Sequence, residues 1–316
     1  MILVSGGLGF IGLSTAQTLI DMGEDCVLTY FSIKREPGLL TDLVGTRVHL
    51  EHLDATDAAE LARLGDRYDF HQVIHLAVPG NRTAVEPFDE VSINVAGLLN
   101  VLERSTAWAV QRVVVASTLG VYAPGSFPYR EGESSSPAAE SPNGAIKRLT
   151  ELTAAFIGAS SSIDVVAARI GGVYGPLYHT MSNLASRLVH AAVNGRAPDL
   201  TSARGTFYAD MGADWCYVKD CGRALALMAM ADHLEHKAFN VASGRPTTYA
   251  DFAAAVERVI PDAQVELPTR PPAEQLESVP YADISRLTEA VGYVPQYSTE
   301  DGIADYIDWV RAGHVE

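Results

Sequence analysis

A doubly wound parallel α/β sheet with a smaller C-terminal lobe is the fold that this sequence predicts. Through the first half of the chain, short apolar runs alternate with stretches of helical spacing, the pattern of β-α-β units. A glycine-rich turn directly follows the first apolar run and opens the first helical stretch. The runs are continuously apolar rather than alternating, as strands covered on both faces must be. At 316 residues, the chain has room for one large α/β domain with a companion lobe.

The elements follow in order. Ile2–Ser5 is a short apolar strand, and residues 14–22 place Ala16, Leu19 and Ile20 on one helical face. Residues 26–31 and 47–50 read as the second and third strands. Residues 73–76 and 113–117 are further apolar runs, separated by 92–104, where Val95, Leu98, Leu99 and Leu102 have helical spacing. A helix over 147–158 leads into a strand over 165–169. From about Gly171 the pattern loosens into short helices at 183–194, 221–230 and 249–259. Residues 261–280, rich in proline and acid, read as an extended link.

Composition excludes several classes. The net charge of −16 repels nucleic acid and anionic membranes, whose binding rests on clustered Lys and Arg. Cys26, Cys216 and Cys221 form no CxxC or His cluster, so neither a disulfide frame nor a metal site is expected. No apolar run approaches the ~18 residues of a membrane span. Met1 leads directly into a strand, and a cytoplasmic location is expected.

The chemistry begins at Gly6-Gly7-Leu8-Gly9-Phe10-Ile11-Gly12. Between a strand and a helix, such glycines allow a tight turn and close approach of a pyrophosphate to backbone N–H groups, and the helix N-terminus adds partial positive charge. This is a dinucleotide site of the Rossmann type. It divides the chain into a nucleotide-binding domain over 1–165, with parts of 205–245 returning to it, and a mainly substrate-binding lobe over 166–316. Eighteen residues past Gly12, where NAD-selective proteins place a carboxylate for the ribose 2′-hydroxyl, stands Tyr30, with Lys34 and Arg35 beyond. Two cations and no acid favour NADP, with NAD as the alternative.

These residues and others resemble the extended short-chain dehydrogenase/reductase family, the NAD-dependent epimerase/dehydratase group typified by UDP-galactose 4-epimerase. Leu53-Asp54 matches its adenine-binding aspartate. Residues 73–77, ending Leu76-Ala77 and followed by Val78, match the strand beneath the cofactor, and Asn94 matches a structural asparagine. Ser117-Thr118 and the following residues to Tyr122 match the catalytic Ser/Thr strand. Arg169-Ile170-Gly171-Gly172-Val173-Tyr174-Gly175-Pro176, Asp214–Asp220 and Phe239–Gly244 match later landmarks. The resemblance implies cofactor contacts from Gly6, Gly9, Phe10, Ile11, Gly12, Tyr30, Lys34, Arg35, Leu53, Asp54, Leu76, Ala77, Val78, Asn94, Ser117, Lys147, Ile170 and Val173. It also implies a homodimer, with helices matching 91–104 and 143–157 packed as a four-helix bundle.

One landmark is missing. The family carries Tyr-x-x-x-Lys, in which a tyrosine phenolate exchanges the substrate's proton and the lysine lowers its pKa. Here Lys147 is present, but Asn143 stands where the tyrosine belongs. An amide has no accessible pKa, though it can donate a hydrogen bond. The catalytic set implied is therefore Thr118, Asn143 and Lys147, with three accounts open. One of Tyr122, Tyr174, Tyr178 and His179, expected on the substrate side, supplies the proton. Alternatively, Asn143 and Thr118 act as an oxyanion-type pair. In the third account redox chemistry is lost, and the protein is a non-redox isomerase or lyase, or a binding protein that keeps the nucleotide as a structural element.

The family's substrate contacts are also depleted. Gly172 replaces an asparagine, Ala213 replaces an arginine, and the stretch where a second arginine belongs holds Ala273 and Glu274, with Arg270 out of register. Leu119 and Gly120 replace the acidic pair of the dehydratases. Diphosphates require fixed cationic forks, so an NAD(P)-dependent oxidoreductase or epimerase of a small polar, sugar-like carbonyl or hydroxyl compound is expected.

Overall fold

The computed structural model of the chain describes residues 1–78, 86–123, 125, 127–133, 141–201, 206–271 and 278–313. Elements are numbered in chain order. The central strands are β1 (Ile2–Ser5), β2 (Cys26–Tyr30), β3 (Val48–His52), β4 (Gln72–His75), β5 (Arg112–Thr118), β6 (Asp164–Ile170) and β10 (Ala238–Val241). They form a seven-stranded parallel sheet in the order β10-β6-β5-β4-β1-β2-β3. Val113, Val114 and Val115 are fully buried in β5, and β-branched side chains suit such a pleated surface. The strand order reverses between β1 and β4, and at that switch point a crevice opens beyond the strands' carboxyl ends.

Helices cover both faces. On one, α1 (Phe10–Asp21) and α6 (Val218–Met230) join Leu19, Ile20, Leu225 and Met228 to the sheet in one apolar cluster. On the other, α2 (Ala58–Gly65), α3 (Pro87–Ala107) and α4 (Pro142–Ser160) bury Leu61, Leu98, Leu102 and Ala154 against Val73 and Val113. A separate core in the C-terminal half unites α5 (Leu184–Val193), α7 (Tyr249–Val259) and α9 (Thr299–Arg311) through Leu188, Phe252, Ile303 and Ile307. Two short pairs edge that core: β7 (Gly172–Tyr174) with β9 (Trp215–Tyr217), and β8 (Gly212–Ala213) with β11 (Thr247–Thr248). The last helix to be placed, α8 (Ser285–Val291), lies against β10.

Several elements are longer than periodicity alone predicts, because their ends are set by caps. α1 starts at Phe10, straight from the glycine turn, with Gly9 in extended conformation as its N-cap. Proline opens α3 and α4, and Ser141 caps α4 by accepting from Gly144 N. β10 comes from the 239–244 landmark and adds a strand beyond β6. Among the described residues, no helix is long and apolar enough to cross a membrane, and no group of three metal-ligating side chains occurs.

Candidate active site

Two hollows meet at the glycine turn. One, of about 790 Å³, lies beside β2, and the other, of about 350 Å³, lies towards β5 and α4. Gly6, Gly9, Leu76 and Val78 line both. The turn needs its glycines: Gly6 has φ +73°, and a Cβ there would stand 2.9 Å from Ala77 N. α1 has neither a side-chain cap nor an acidic residue in its first turn. Its N-terminal charge is therefore left for an anion. Two hollows joined over such a turn fit the two halves of a dinucleotide.

The larger hollow is lined by Tyr30, Arg35, Leu53 and Ala77. Lys34 is not on this wall, and its Nζ lies 5.8 Å from the centroid of the Tyr30 ring. The Asp54 carboxylate accepts from Thr56 N at 2.9 Å and Thr56 Oγ1 at 2.7 Å. Asn94 turns along its own helix, donating to Glu90 O at 2.8 Å. Arg35 thus reaches the hollow, whereas Lys34, Asp54 and Asn94 do not line it.

The smaller hollow gathers Phe10, Ile11, Gly12, Ser117, Thr118, Asn143, Lys147, Ile170 and Val173. Asn143 and Lys147 reach it together because residues four apart share a helix face. Thr118 joins them because the start of α4 docks on the 119–121 turn. A Cβ at Gly144 would collide with Gly120 O, so only glycine allows that approach. Among the described residues on this wall, Lys147 alone carries an ionisable side chain. Behind it, buried His75 pairs with Ser5 Oγ at 2.7 Å. Burial, and then the charge of Lys147, push the His75 pKa down to about 3, so the imidazole is neutral.

One turn beyond Lys147, the buried Glu151 anchors a network that the sequence reading did not single out. It accepts from Ser117 Oγ at 2.6 Å, from Arg169 through both oxygens at 2.9 Å, and from Arg148 at 3.2 Å. A carboxylate four residues after Lys147, on a helix face that also buries Ile146 and Thr150, was the signal available. Arg169 continues the network to Tyr122 Oη at 2.9 Å, and Tyr122 donates to Asn240 Oδ1 at 2.7 Å.

That network corrects one expectation. Tyr122 is 5% exposed and stacked on Tyr129, with its pKa pushed up to about 12 by burial. It does not line the smaller hollow. Nor does Tyr174, which is 1% exposed between Tyr217 and Phe252 in the C-terminal core, where burial raises its pKa. Alternation along β7 turns it away from Val173, which does line the hollow. Tyr178 sits edge-on to Phe10 at 5.0 Å and shares a hydrogen bond with Ser182 at 2.6 Å. His179 follows on the same loop, half-buried and off both walls.

On the C-terminal side of the cleft, the positions singled out in the sequence have these surroundings. The Trp215 indole lies on Gly172, where a Cβ would come within 2.7 Å of its ring. Arg270 is held by Asp210 at 3.1 Å and by the Tyr208 ring at 4.6 Å. Residues 273 and 274 lie outside the described residues.

Comparisons with known proteins agree with this geometry. Residues 2–242 match the model of the NAD dependent epimerase/dehydratase family. The UDP-glucose 4-epimerase of Azospirillum brasilense is 28% identical, over 98% of this chain and 92% of its own length. A probable UDP-glucuronate 4-epimerase of Rhizobium meliloti is 25% identical, over 97% and 96%. Among solved structures, UDP-glucose 4-epimerase of Thermotoga maritima superposes with a TM-score of 0.82, at 23% identity and 99% coverage of both chains. The Thermus thermophilus UDP-glucose 4-epimerase, solved with NAD, has a TM-score of 0.77 at 26% identity, again covering 99% of both chains. With the family model spanning most of its length and the fold shared throughout, the chain belongs to the NAD dependent epimerase/dehydratase family as an enzyme of that group.

Proposed function

We propose that this protein is an NADP-dependent oxidoreductase or epimerase of a small polar, sugar-like carbonyl or hydroxyl compound, with a proton step altered by Asn143. The observation that carries this reading is the common wall of Thr118, Asn143 and Lys147 beside the glycine turn. Gly6, Gly9, Phe10, Ile11 and Gly12 would hold the dinucleotide, which supplies the hydride donor or acceptor when bound. The Thr118 hydroxyl and the Asn143 amide donate hydrogen bonds to the substrate oxygen, as an oxyanion-type pair. The amide exchanges no proton. Lys147 places its positive charge next to that oxygen and is the ionisable group on the wall.

A substrate smaller than a nucleotide sugar is supported by Trp215 over Gly172, by Ala213, and by the engagement of Arg270 with Asp210. Preference for NADP is supported by Arg35 on the larger hollow and by Tyr30 at the end of β2. Dimerisation through α3 and α4 is supported by the exposure of Val91, Leu99, Leu152 and Phe156, while Leu98 and Leu102 belong to the subunit's own core. Light scattering tests it, and a monomer at micromolar concentration refutes it. Three buried free cysteines suit a reducing, cytoplasmic setting.

The decisive experiment follows nicotinamide absorbance while sugar-like aldehydes, ketones and alcohols are offered with NADP(H), in the wild type and in Asn143→Ala, Asn143→Tyr and Lys147→Ala. Turnover that falls in Asn143→Ala and Lys147→Ala supports the reading. Asn143→Tyr rebuilds an acid–base group, so hydride transfer to a generic carbonyl should rise towards the ~10²-fold that such catalysis contributes. If no redox change accompanies any reaction and Asn143→Ala is silent, the structural-nucleotide reading replaces this one. The lack of an ionisable tyrosine or histidine on the described wall is what favours that second reading.

A further inference from the structure

A further cavity, of about 410 Å³, shares Phe10 with the smaller hollow. Its walls come from the outer face of α1, the 37–40 segment, the 176–177 loop, the start of α6 and Trp309 of α9. It therefore bridges the sheet domain and the C-terminal core. Phe10, Leu13, Met22, Leu39, Val218 and Trp309 make most of it apolar, and Gln17 and Gln296 add uncharged hydrogen-bonding groups. Met22 and Leu39 are 43% and 67% exposed.

The two cations on the wall are already matched. Lys219 pairs with Asp305 at 2.8 Å, and Arg223 reaches Asp220 at 3.5 Å and the Val294 carbonyl. Asp21, on the same wall, accepts from Gln17 Nε2 at 3.0 Å and has no paired cation among the described residues, so an anion would be repelled there, whereas a flat uncharged ligand with a hydrogen-bond donor finds the rings of Phe10, Tyr297 and Trp309 beside that carboxylate. The 176–177 loop is held in tension as well. Leu177 and, just beyond it, Met181 adopt φ +69° and +49°, a left-handed region that side chains with a Cβ avoid. Tyr178, between them, meets Phe10 at 5.0 Å.

We propose that this cavity is a second small-molecule site, taking a compact, uncharged aromatic compound with a hydrogen-bonding edge. Occupancy there is coupled to the dinucleotide through Phe10, the first residue of α1, which lines both spaces. A ring seated against Phe10 and Leu177 fixes the loop and the first turn of α1, which the dinucleotide's pyrophosphate also uses. The inference goes beyond the proposed reaction and holds for whichever nicotinamide dinucleotide binds.

The test uses 2-naphthol at neutral pH as the probe, with the full-length protein. Naphthol should bind saturably, one per chain, with intermolecular nuclear Overhauser effects to the methyl groups of Met22 and Leu13. Thr18→Trp, which projects a ring into the cavity from α1, should weaken that binding at least tenfold. In calorimetry, saturating naphthol should shift the dinucleotide Kd by about fivefold, a typical size of allosteric coupling, and the shift should vanish in Thr18→Trp. Absence of saturable binding, Overhauser effects to Val173 instead of Met22, or an unchanged dinucleotide Kd would each overturn the proposal. Should Thr18→Trp fail to fold, the Overhauser contacts and the Kd shift in the wild-type protein decide it.

Discussion

The glycine cradle and the corner around Lys147 face each other across one cleft but are built from different materials. At the cradle, the ligand-facing surface is backbone, and side chains matter mainly by their absence, as at Gly6 and Gly12. At the corner, geometry depends on charged side chains buried together: Glu151, Arg169 and Lys147 are each less than a tenth exposed. Backbone sites tolerate change everywhere except at a few glycines. Side-chain sites fail piece by piece, and losing one partner leaves the other charge stranded.

The sharpest way to break this comparison is to remove charge from the corner. Glu151→Gln keeps the shape but strands Arg169, so it should lower unfolding stability by about 3–5 kcal/mol. Denaturant titration checks this, and a loss below about 1 kcal/mol would show that the corner is as forgiving as a surface. At the cradle, the expected effect is on binding. A Cβ at position 12 would lie 2.7 Å from Gly6 O and Gly7 Cα. Gly12→Val should therefore weaken the dinucleotide about 100-fold, or about 2.7 kcal/mol, by calorimetry.

The corner should also carry a pH signature. With a folded pKa of about 3 against an ordinary value of about 6.5, His75 takes up its proton more readily in the unfolded chain. Its contribution is complete above the unfolded pKa and is lost as pH falls from about 6.5 towards 3. That amounts to about 2 kcal/mol at pH 5. Unfolding measured at pH 7 and pH 5 should show a smaller drop in His75→Asn than in the wild type. The smallest effect belongs to the cradle's outer end. Arg35→Ala should lower the NADP-over-NAD preference about tenfold, or about 1.4 kcal/mol. Lys34→Ala should change it far less, since Lys34 is not on the wall. Equal effects in the two variants would show that the loop rearranges on binding.

The same contrast explains what could be read from the sequence. Buried strands and the turn at Gly6 to Gly12 repeat a local pattern, and apolar continuity or glycine spacing exposes them directly. Thr118, Asn143 and Lys147 were legible because two fixed motifs carry them, and the structure brings them to one wall. Tyr122 and Tyr174 were misplaced because nothing local separates an aromatic that faces a cleft from one packed behind it. α2 and α9 were passed over although Leu61 and Leu64, and Ile303, Tyr306 and Ile307, keep helical spacing behind the caps of Asp57 and the Ser298–Asp301 pair, because the charged residues between them dilute a narrow apolar face. Glu151 was missed for a different reason. Its partners Ser117 and Arg169 come from two neighbouring strands, and only the folded sheet puts them together.

The late arrival of β10 at the sheet's edge bears on how the protein is made. β6 ends at Ile170, and the strand that covers it begins at Ala238. At roughly 5–20 residues per second of synthesis, a ribosome takes several seconds to deliver that partner. During this interval the nascent chain presents an unpaired parallel edge, along with the surface later covered by Phe239 and α6. Unpaired edges of this kind are templates for mispairing between chains. Expression should therefore respond to chaperone supply and growth temperature more than native stability alone implies. Fragments that stop between β6 and β10 should collect in the insoluble fraction.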